Sequence, residues 1–235
     1  MSVSWTEKQG VVTLTLDRPE ARNALNLAMC DALIDSAQRA AADETVRVVL
    51  VRANGPAFCA GADLKEREGM NEQQVRERRK RAFAAYAALE GLPMPAIALV
   101  QGPAVGSGCE IAASCDFIVA TPEASFRTPE ALRGTVGATQ RLPRVLGKRL
   151  AKDMMFTGRV LTAQEALQAG LVSRIIEISE LDEIISGILK GPPQSLLLAK
   201  RAIHRGVELD PQGALAAEME AIEQQLAAGH WMGKR

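Results

Sequence analysis

The sequence predicts an α/β fold whose sheet is largely parallel, and three observations lead to this prediction. Strand and helix patterns alternate through the first 120 residues, which is the order that βα units produce. Residues 96–100 are entirely apolar, as expected of a strand that is covered on both faces. The last quarter of the chain shows no strand pattern, so we expect a helical region to follow the sheet.

Apolar periodicity and helix-breaking residues define the elements in chain order. Residues 11–16 are rich in β-branched side chains and predict a strand that ends before Pro19. A helix over 26–42 places Met29, Leu33 and Ala37 on one face. The other predicted elements are strands at 46–51, 96–100, 117–120 and 171–176, and helices at 76–89, 109–114, 139–146, 148–156, 163–169 and from 181 onwards.

Gly191-Pro192-Pro193 interrupts the C-terminal helical pattern. We therefore divide the chain into a core of residues 1–190, which holds the active site, and a helical oligomerisation region of residues 191–235.

Composition excludes several classes of function. The 235 residues carry a formal net charge of zero, which argues against a nucleic-acid or membrane-surface partner. No apolar run is long enough for a transmembrane helix, and the N-terminus has no signal-peptide pattern. Four cysteines in a chain of this length are expected to stay reduced. We predict a cytoplasmic protein.

A glycine-rich turn is the strongest chemical signal. Residues 102–110 read Gly-Pro-Ala-Val-Gly-Ser-Gly-Cys-Glu and lead into a helix. Glycines allow a ligand to approach the backbone closely, and the helix start adds positive charge there. Such N–H groups can hold a developing oxyanion. Spacing alone does not separate this from a turn whose glycines serve packing. Ile111 stands where a dinucleotide-binding motif needs glycine.

Two glutamates are candidates for acid/base chemistry. Glu110 closes the glycine-rich turn, and Glu130 lies in a loop after a predicted strand. If both face one cavity, they form a carboxylate pair beside N–H donors, which suits proton transfer on an acyl group. A lone loop glutamate is more often solvated.

Residues 58–65 form a second small-residue loop, which could add an N–H donor and a phosphate contact from Lys65. Taken alone, this loop is better interpreted as an ordinary strand–helix connection. Cys109 begins a helix, but only His204 and His230 could activate a nucleophile. Buried thiols are the better interpretation, and no cysteine spacing suggests a metal site.

Residues 76–81 form a basic run, Arg-Glu-Arg-Arg-Lys-Arg. We interpret this run as a solvated helix face. Nucleic-acid binding through it is the alternative, which neutral net charge disfavours.

An ordered set of motifs resembles the enoyl-CoA hydratase/isomerase (crotonase) family. These motifs are residues 17–25 (Asp-Arg-Pro-Glu-Ala-Arg-Asn-Ala-Leu), 57–65, 102–110, 115–116, 129–130, 139–142 (Thr-Gln-Arg-Leu) and 169–172 (Ala-Gly-Leu-Val). Residues 57–67 are particularly similar to the methylglutaconyl-CoA hydratase branch.

The resemblance implies a spiral of ββα turns with C-terminal helices, assembled as homotrimers or dimers of trimers. It implies catalytic roles for Glu110 and Glu130, and an oxyanion hole from the backbone N–H groups of Ala62 and Ser107. Ser107 stands where the family usually has glycine. Residues implied to hold coenzyme A or substrate are Ala21, Arg22, Ala60, Asp63, Leu64 and Lys65.

The implied function is an enoyl-CoA hydratase of fatty acid metabolism, which adds water across the 2,3 double bond to give a 3-hydroxyacyl-CoA. No metal or separate cofactor is expected, because coenzyme A is part of the substrate. The alternatives are a Δ3,Δ2-enoyl-CoA isomerase, a branched-chain (methylglutaconyl-like) hydratase, and a non-enzymatic RNA-binding or acyl-CoA-binding protein. Compared with the family pattern, residues 134–140 and 186–193 are short, and the sequence ends about one helix early.

Overall fold

The computed structural model describes residues 2–229. Strands of this part of the chain are β1 Val3–Lys8, β2 Val11–Leu16, β3 Val48–Ala53, β4 Ala96–Val100, β5 Pro103–Val105, β6 Phe117–Ala120, β7 Ser125–Arg127, β8 Leu161–Thr162 and β9 Arg174–Ile175. Its α-helices are α1 Leu27–Ala42, α2 Leu64–Arg67, α3 Glu72–Glu90, α4 Ser107–Ala113, α5 Arg141–Thr157, α6 Ala163–Gln168, α7 Leu181–Leu189, α8 Pro193–Gly206 and α9 Pro211–Ala227. Three short 3₁₀ helices are Pro19–Ala21, Ala131–Arg133 and Ile178–Glu180.

Six strands form the main sheet in the order β1-β2-β3-β4-β6-β9. Only β1 and β2 pair in antiparallel fashion, and the other neighbours are parallel. Side chains of β4 alternate between two apolar cores. Ala96, Ala98 and Val100 belong to the larger core, whereas Ile97 and Leu99 belong to the smaller one that α7 covers. The prediction of a mainly parallel sheet covered on both faces is therefore confirmed.

A second, three-stranded sheet has the order β5-β7-β8 and carries the active-site turn. Strand β5 lies within the predicted turn, between Gly102 and Gly106, and pairs in parallel with β7. Because β7 leads directly toward Glu130, this pairing brings both candidate glutamates to one end of the small sheet.

Several sequence-based boundaries were wrong. Strand β1 was not predicted, and the helix expected from residue 139 begins at Arg141. The expected break between two helices at residue 147 is confirmed, because α5 is interrupted at Gly147, whose φ of +73° is not helical. The strand expected at 171–176 shortens to β9, because the N–H groups of Leu171 and Val172 donate to the Ala166 carbonyl oxygen and close a turn. The other predicted elements are present with small shifts of their ends.

The proposed boundary near residue 191 coincides with the break between α7 and α8, and the division into two domains stays a prediction. Residues 230–235, including His230, lie outside the described part of the chain. Between residues 2 and 229, none of the helices combines the length and apolarity required to cross a bilayer.

Candidate active site

Two loops meet to form the backbone part of the site. An isolated parallel bridge joins Cys59 to Ala104, and the Val105 N–H donates to the Cys59 carbonyl oxygen at 2.9 Å. Glycine is required on both sides of this contact. A Cβ atom on Gly61 (φ +100°) would lie 3.1 Å from the Val105 oxygen, and one on Gly108 would lie 2.4 Å from the Cys59 oxygen. The small residues of both loops therefore allow two backbone segments to approach closely.

Ala62 and Ser107 present backbone N–H groups at this junction. Both residues line the same cavity. Across residues 2–229, neither N–H donates a hydrogen bond to a protein acceptor. Ser107 is also the first residue of α4, where the orphaned N–H groups of a helix start carry partial positive charge. The pair is thus available to a ligand oxygen, and its role as the oxyanion hole that the family resemblance implies stays a prediction.

The side chain of Ser107 is accommodated beside α3. Tyr86 is buried, which raises the pKa of its hydroxyl, and a hydrogen bond with the Ser107 side chain partly opposes that rise. The Ser107 side chain therefore lies next to the Tyr86 hydroxyl, while the backbone N–H of Ser107 stays free.

Glu110 projects from α4 and is only 5% exposed. Arg141 at the start of α5 donates from Nη1 to Glu110 Oε2 at 2.8 Å and from Nη2 to Glu90 Oε2 at 2.5 Å. The guanidinium also lies 5.8 Å from the centre of the Tyr86 ring. Burial raises the pKa of Glu110, and the hydrogen bond and charge of Arg141 oppose this rise. The ion pair therefore favours the ionised form of a buried carboxyl group.

Glu130 has a different environment. It immediately precedes the 3₁₀ helix Ala131–Arg133, and its Oε2 atom is buried with no hydrogen-bond partner in the described part of the chain. Burial raises the pKa of Glu130, and the charge of Glu110 raises it further, while Arg133 lowers it. Glu130 therefore holds a proton more readily than a solvated glutamate does.

Glycines make room for the Glu130 side chain. A Cβ atom on Gly106 (φ +51°) would lie 2.3 Å from Glu130 Oε1, and one on Gly137 would lie 3.1 Å from Glu130 Cγ. The glycine-rich turn therefore serves two purposes at once. It presents the Ser107 N–H, and it lets a carboxyl group approach the backbone.

The four residues predicted to carry the chemistry face one cavity of about 420 Å³. Its walls include Ala62, Ser107, Glu110 and Glu130. The structure thus brings together two free N–H donors, the buried carboxyl group of Glu110 and the half-buried carboxyl group of Glu130 from segments that are far apart in the sequence. Their catalytic roles stay predictions.

The predicted coenzyme A positions divide into two groups. Ala60 and Leu64 line the cavity. The carboxylate of Asp63 already has partners within the protein. It pairs with Arg18 at 3.0 Å, and it caps α2 by accepting from the N–H groups of Lys65 and Glu66.

Ala21, Arg22 and Lys65 are not among the residues that line this cavity. Ala21 ends the first 3₁₀ helix, and Arg22 follows it with φ +50°. Ala60 is tied to this turn, since its N–H donates to the Arg22 carbonyl oxygen at 3.0 Å. The role of these positions in holding coenzyme A stays a prediction.

The interpretation of residues 76–81 as a solvated helix face was wrong for two members. Arg78 is 4% exposed and bonds Glu66 at 2.7 Å and the Leu25 carbonyl oxygen. Arg79 lines the cavity. Arg76 and Lys80 do face solvent, in ion pairs with neighbouring glutamates. A run of charged residues does not show which of its members meet a distant partner such as Glu66, so the sequence alone could not reveal these two positions.

All four cysteines are buried thiols, as expected. Burial raises the pKa of Cys30 to about 11 and that of Cys59 to about 12. The pKa of Cys109 is also raised by burial, so its place at a helix start does not make it a nucleophile. Among the described residues, no cluster of three His, Cys, Asp or Glu side chains is arranged to hold a metal ion.

Sequence reasoning missed the partners of the carboxylates. Arg141 was visible only as part of the Thr-Gln-Arg-Leu motif, and Glu90 and Tyr86 carried no signal. Their helical spacing is a hint in retrospect, since positions 86 and 90 lie on one face of α3.

The chain matches known proteins over nearly its whole length. The family model for enoyl-CoA hydratase/isomerase matches residues 6–231. The chain is 40% identical over 227 residues to the short-chain-enoyl-CoA hydratase of Clostridium acetobutylicum, covering 92% of this chain and 86% of that protein. It is 39% identical over 232 residues to the putative enoyl-CoA hydratase/isomerase YngF of Bacillus subtilis, covering 95% and 89%.

A solved structure shows the same fold. The enoyl-CoA hydratase from Bacillus anthracis superposes with a TM-score of 0.91 at 37% identity, covering 95% of this chain and 90% of that one. The matching family is one of enzymes, hydratases and isomerases of enoyl-CoA. The chain belongs to the enoyl-CoA hydratase/isomerase family, and the predicted crotonase-like α/β fold is confirmed.

Proposed function

We propose that this protein is an enoyl-CoA hydratase, which adds water reversibly across the 2,3 double bond of an enoyl-CoA thioester. The observation that carries the proposal is the presence of two carboxyl groups, one buried and one half-buried, and two unpaired N–H groups in one cavity. An isomerase needs one well-placed base, whereas water addition needs a base for the water and an acid for the carbon.

The backbone donors would bind the thioester oxygen. With that oxygen between the N–H groups of Ala62 and Ser107, electron density moves onto it as water attacks Cβ. The resulting enolate is stabilised by both donors and by the N-terminal end of α4. Loss of one such donor typically raises a barrier by about 3–4 kcal/mol. The backbone geometry therefore supports charge development at the carbonyl oxygen.

The two carboxyl groups would divide the proton transfers. Glu110 is the base, because Arg141 stabilises its ionised form. Glu130 is the acid, because burial and the charge of Glu110 both raise its pKa. The water oxygen bonds to Cβ as its proton passes to Glu110, and the Glu130 proton passes to Cα. Neighbouring carboxyl groups with different protonation are suited to this division.

The substrate class, the oligomeric state and the location of the protein are also proposals. The substrate is an acyl-CoA, so no separate cofactor is involved. A homotrimer or a dimer of trimers agrees with exposed apolar side chains in and between α8 and α9, among them Ile203, Val207 and Leu215. We also propose a cytoplasmic location and a role in fatty acid metabolism.

Turnover of two substrates tests the proposal. Hydration of crotonyl-CoA is followed as loss of absorbance by the conjugated thioester, and isomerisation of a 3-enoyl-CoA as its gain. Glu110→Gln and Glu130→Gln should each lower the kcat of hydration by at least about 100-fold. Glu44→Gln, which changes an exposed glutamate, is the matched control and should keep full activity. Near-normal hydration by both cavity variants, or activity on the 3-enoyl-CoA alone, would overturn the assignment.

A further inference from the structure

Arg78 is a buried cation that links three segments beside the cavity. It is 4% exposed and forms part of the cavity wall. Its guanidinium donates from Nε to Glu66 Oε2 at 2.7 Å and from Nη2 to the Leu25 carbonyl oxygen. Glu66 in turn accepts at Oε1 from the Leu27 N–H at 2.8 Å. Helix α3 is thereby joined to α2 and to the start of α1.

The backbone of Leu25 holds the segment that contains Ala62. Leu25 and Ala62 form an isolated parallel bridge. The Leu25 N–H donates to the Gly61 carbonyl oxygen at 2.7 Å, and the Leu25 carbonyl oxygen accepts from the Asp63 N–H at 2.9 Å. Leu25 is thus bonded to the residues on both sides of Ala62. A carbonyl oxygen can accept two hydrogen bonds, and Arg78 donates the second one.

The direction of the Ala62 N–H follows from the planarity of the peptide. The Gly61 carbonyl and the Ala62 N–H belong to one peptide unit, and in a trans peptide they point in opposite directions. Because the Gly61 oxygen faces Leu25, the Ala62 N–H points away from Leu25. Ala62 lines the cavity, and its N–H has no protein acceptor among residues 2–229. A shift of Leu25 would therefore tilt this peptide and redirect the N–H.

Stability alone does not account for the ion pair of Arg78 and Glu66. Side-chain exposure is 4% for Arg78 and 22% for Glu66, so both charges lose much of their hydration. In such pairs the cost of desolvation often cancels the attraction, and apolar side chains of similar volume are often equally stabilising. Apolar side chains cannot, however, bond a carboxylate and a main-chain oxygen at once. The planar guanidinium does so in a fixed geometry, and this fixes the position of Leu25.

We propose that the ion pair of Arg78 and Glu66 positions the Ala62 N–H for the thioester oxygen, by holding Leu25 behind the Gly61–Ala62 peptide. Arg78 is then a positioning residue, because it acts through Leu25 and does not bond the substrate. This inference rests on the proposed function, in which the Ala62 N–H binds that oxygen. Loss of the ion pair should lower kcat far more than substrate affinity, because the donor contributes most when negative charge develops on the oxygen.

The stretching vibration of a bound thioester carbonyl reports this alignment without any turnover. Butyryl-CoA, isotope-labelled at its carbonyl carbon, is saturated and cannot be hydrated, and hydrogen bonds to its oxygen lower the C=O frequency. Binding to the wild-type protein should lower this frequency below that of the free ligand. In Arg78→Met/Glu66→Gln, which removes both charges together, the decrease should be much smaller. The kcat for crotonyl-CoA should fall by about 10- to 100-fold, as expected for a displaced catalytic group, while the Kd of butyryl-CoA changes far less.

Arg81→Met is the matched control, because Arg81 also joins α3 to α1, through an ion pair with Asp31 on the surface. This variant should keep the wild-type frequency and kcat. Arg78→Lys retains a cation at the buried position and should restore part of both. Thermal denaturation checks the folding of each variant. If the double variant does not fold, the single variants Arg78→Lys and Glu66→Gln should each show a smaller change in the same direction.

Two outcomes would overturn the positioning role. One is an unchanged carbonyl frequency in the folded variants, because the ion pair then serves packing alone, whatever happens to kcat. The other is a wild-type frequency equal to that of free butyryl-CoA, because the Ala62 N–H then does not bind the oxygen. Hydration of crotonyl-CoA by the wild-type protein is measured separately. If no hydration is found, the proposed function fails, whereas a frequency difference between wild type and double variant still supports the positioning role.

Discussion

Replacing Arg141 by glutamine removes the ion-pair partner of the proposed base. Arg141 bonds Glu110 at 2.8 Å and Glu90 at 2.5 Å, and Glu110 is 5% exposed. Burial already raises the pKa of Glu110, so the guanidinium is the main group that favours its ionised form. The variant should therefore leave a buried carboxyl group that is harder to ionise.

The size of the effect follows from the hydrogen bond that is lost. A hydrogen bond to a charged group contributes about 1.5–3 kcal/mol, and about 1.4 kcal/mol corresponds to a factor of ten. On the acidic side of the pH profile, the ionised fraction of Glu110 should fall by about 10- to 100-fold. Because a base must be ionised to act, kcat/KM falls by the same factor there. At high pH Glu110 ionises in both proteins and the difference shrinks.

The assay is the pH dependence of kcat/KM for crotonyl-CoA. Arg141→Gln should move the acidic limb to higher pH, and Arg141→Lys should restore part of the difference. Arg159→Gln is the matched control, since Arg159 also bridges two carboxylates, Asp153 and Glu165, but on the surface.

A uniform loss of activity at every pH would refute this reasoning, because it would show a role in folding or packing only. An unchanged acidic limb in a fully folded Arg141→Gln variant, with thermal denaturation as the check on folding, would refute it as well.

Three further substitutions test the packing and the hydrogen bonds in and around the site. Gly106→Ala should lower kcat about 100-fold, because its Cβ would lie 2.3 Å from Glu130 Oε1, and full activity would contradict this. Glu130→Gln should raise the Tm above the folded-state pKa of Glu130, because burial raises that pKa and ionisation of the carboxyl group destabilises the fold as pH rises through it. Below the ordinary carboxyl pKa, where residue 130 is neutral in both proteins, the Tm difference should vanish, and a lower Tm of the variant at high pH would contradict the prediction. Asn23→Ala should lower the free energy of unfolding in urea by about 2–4 kcal/mol, because the buried amide donates to the Asn54 and Ala57 carbonyl oxygens. An unchanged urea midpoint would contradict that.

Regular apolar patterns made the main sheet predictable. Residues 96–100 alternate between two cores, so the run had to be apolar throughout, and a strand of this kind stands out. The small sheet was not predictable, because β5, β7 and β8 have only two or three residues each. Strands this short carry no periodicity. They form because neighbouring segments supply their hydrogen-bond partners.

The residues of the candidate site were predictable where several of them lie in one short segment of the sequence. Ser107 and Glu110 share a glycine-rich turn whose composition reveals a close approach. Only the family resemblance predicted a role for Ala62, because its loop, taken alone, is interpreted as an ordinary strand–helix connection. Arg141 is separated from Glu110 by 31 positions, and their contact depends on where α5 packs. No local pattern of residues encodes such a contact.

Helix α3 joins the two ends of the cavity in one rigid element. Arg79, Phe83, Tyr86 and Glu90 follow each other at spacings of four, three and four, so they lie along one stripe. Arg79, Phe83 and Tyr86 line the cavity, and Glu90 shares Arg141 with Glu110. A rotation or shift of α3 would therefore alter the cavity wall and the ion pair of the proposed base together. The shape of the cavity and the ionisation of Glu110 are thus linked, because both depend on the position of this helix.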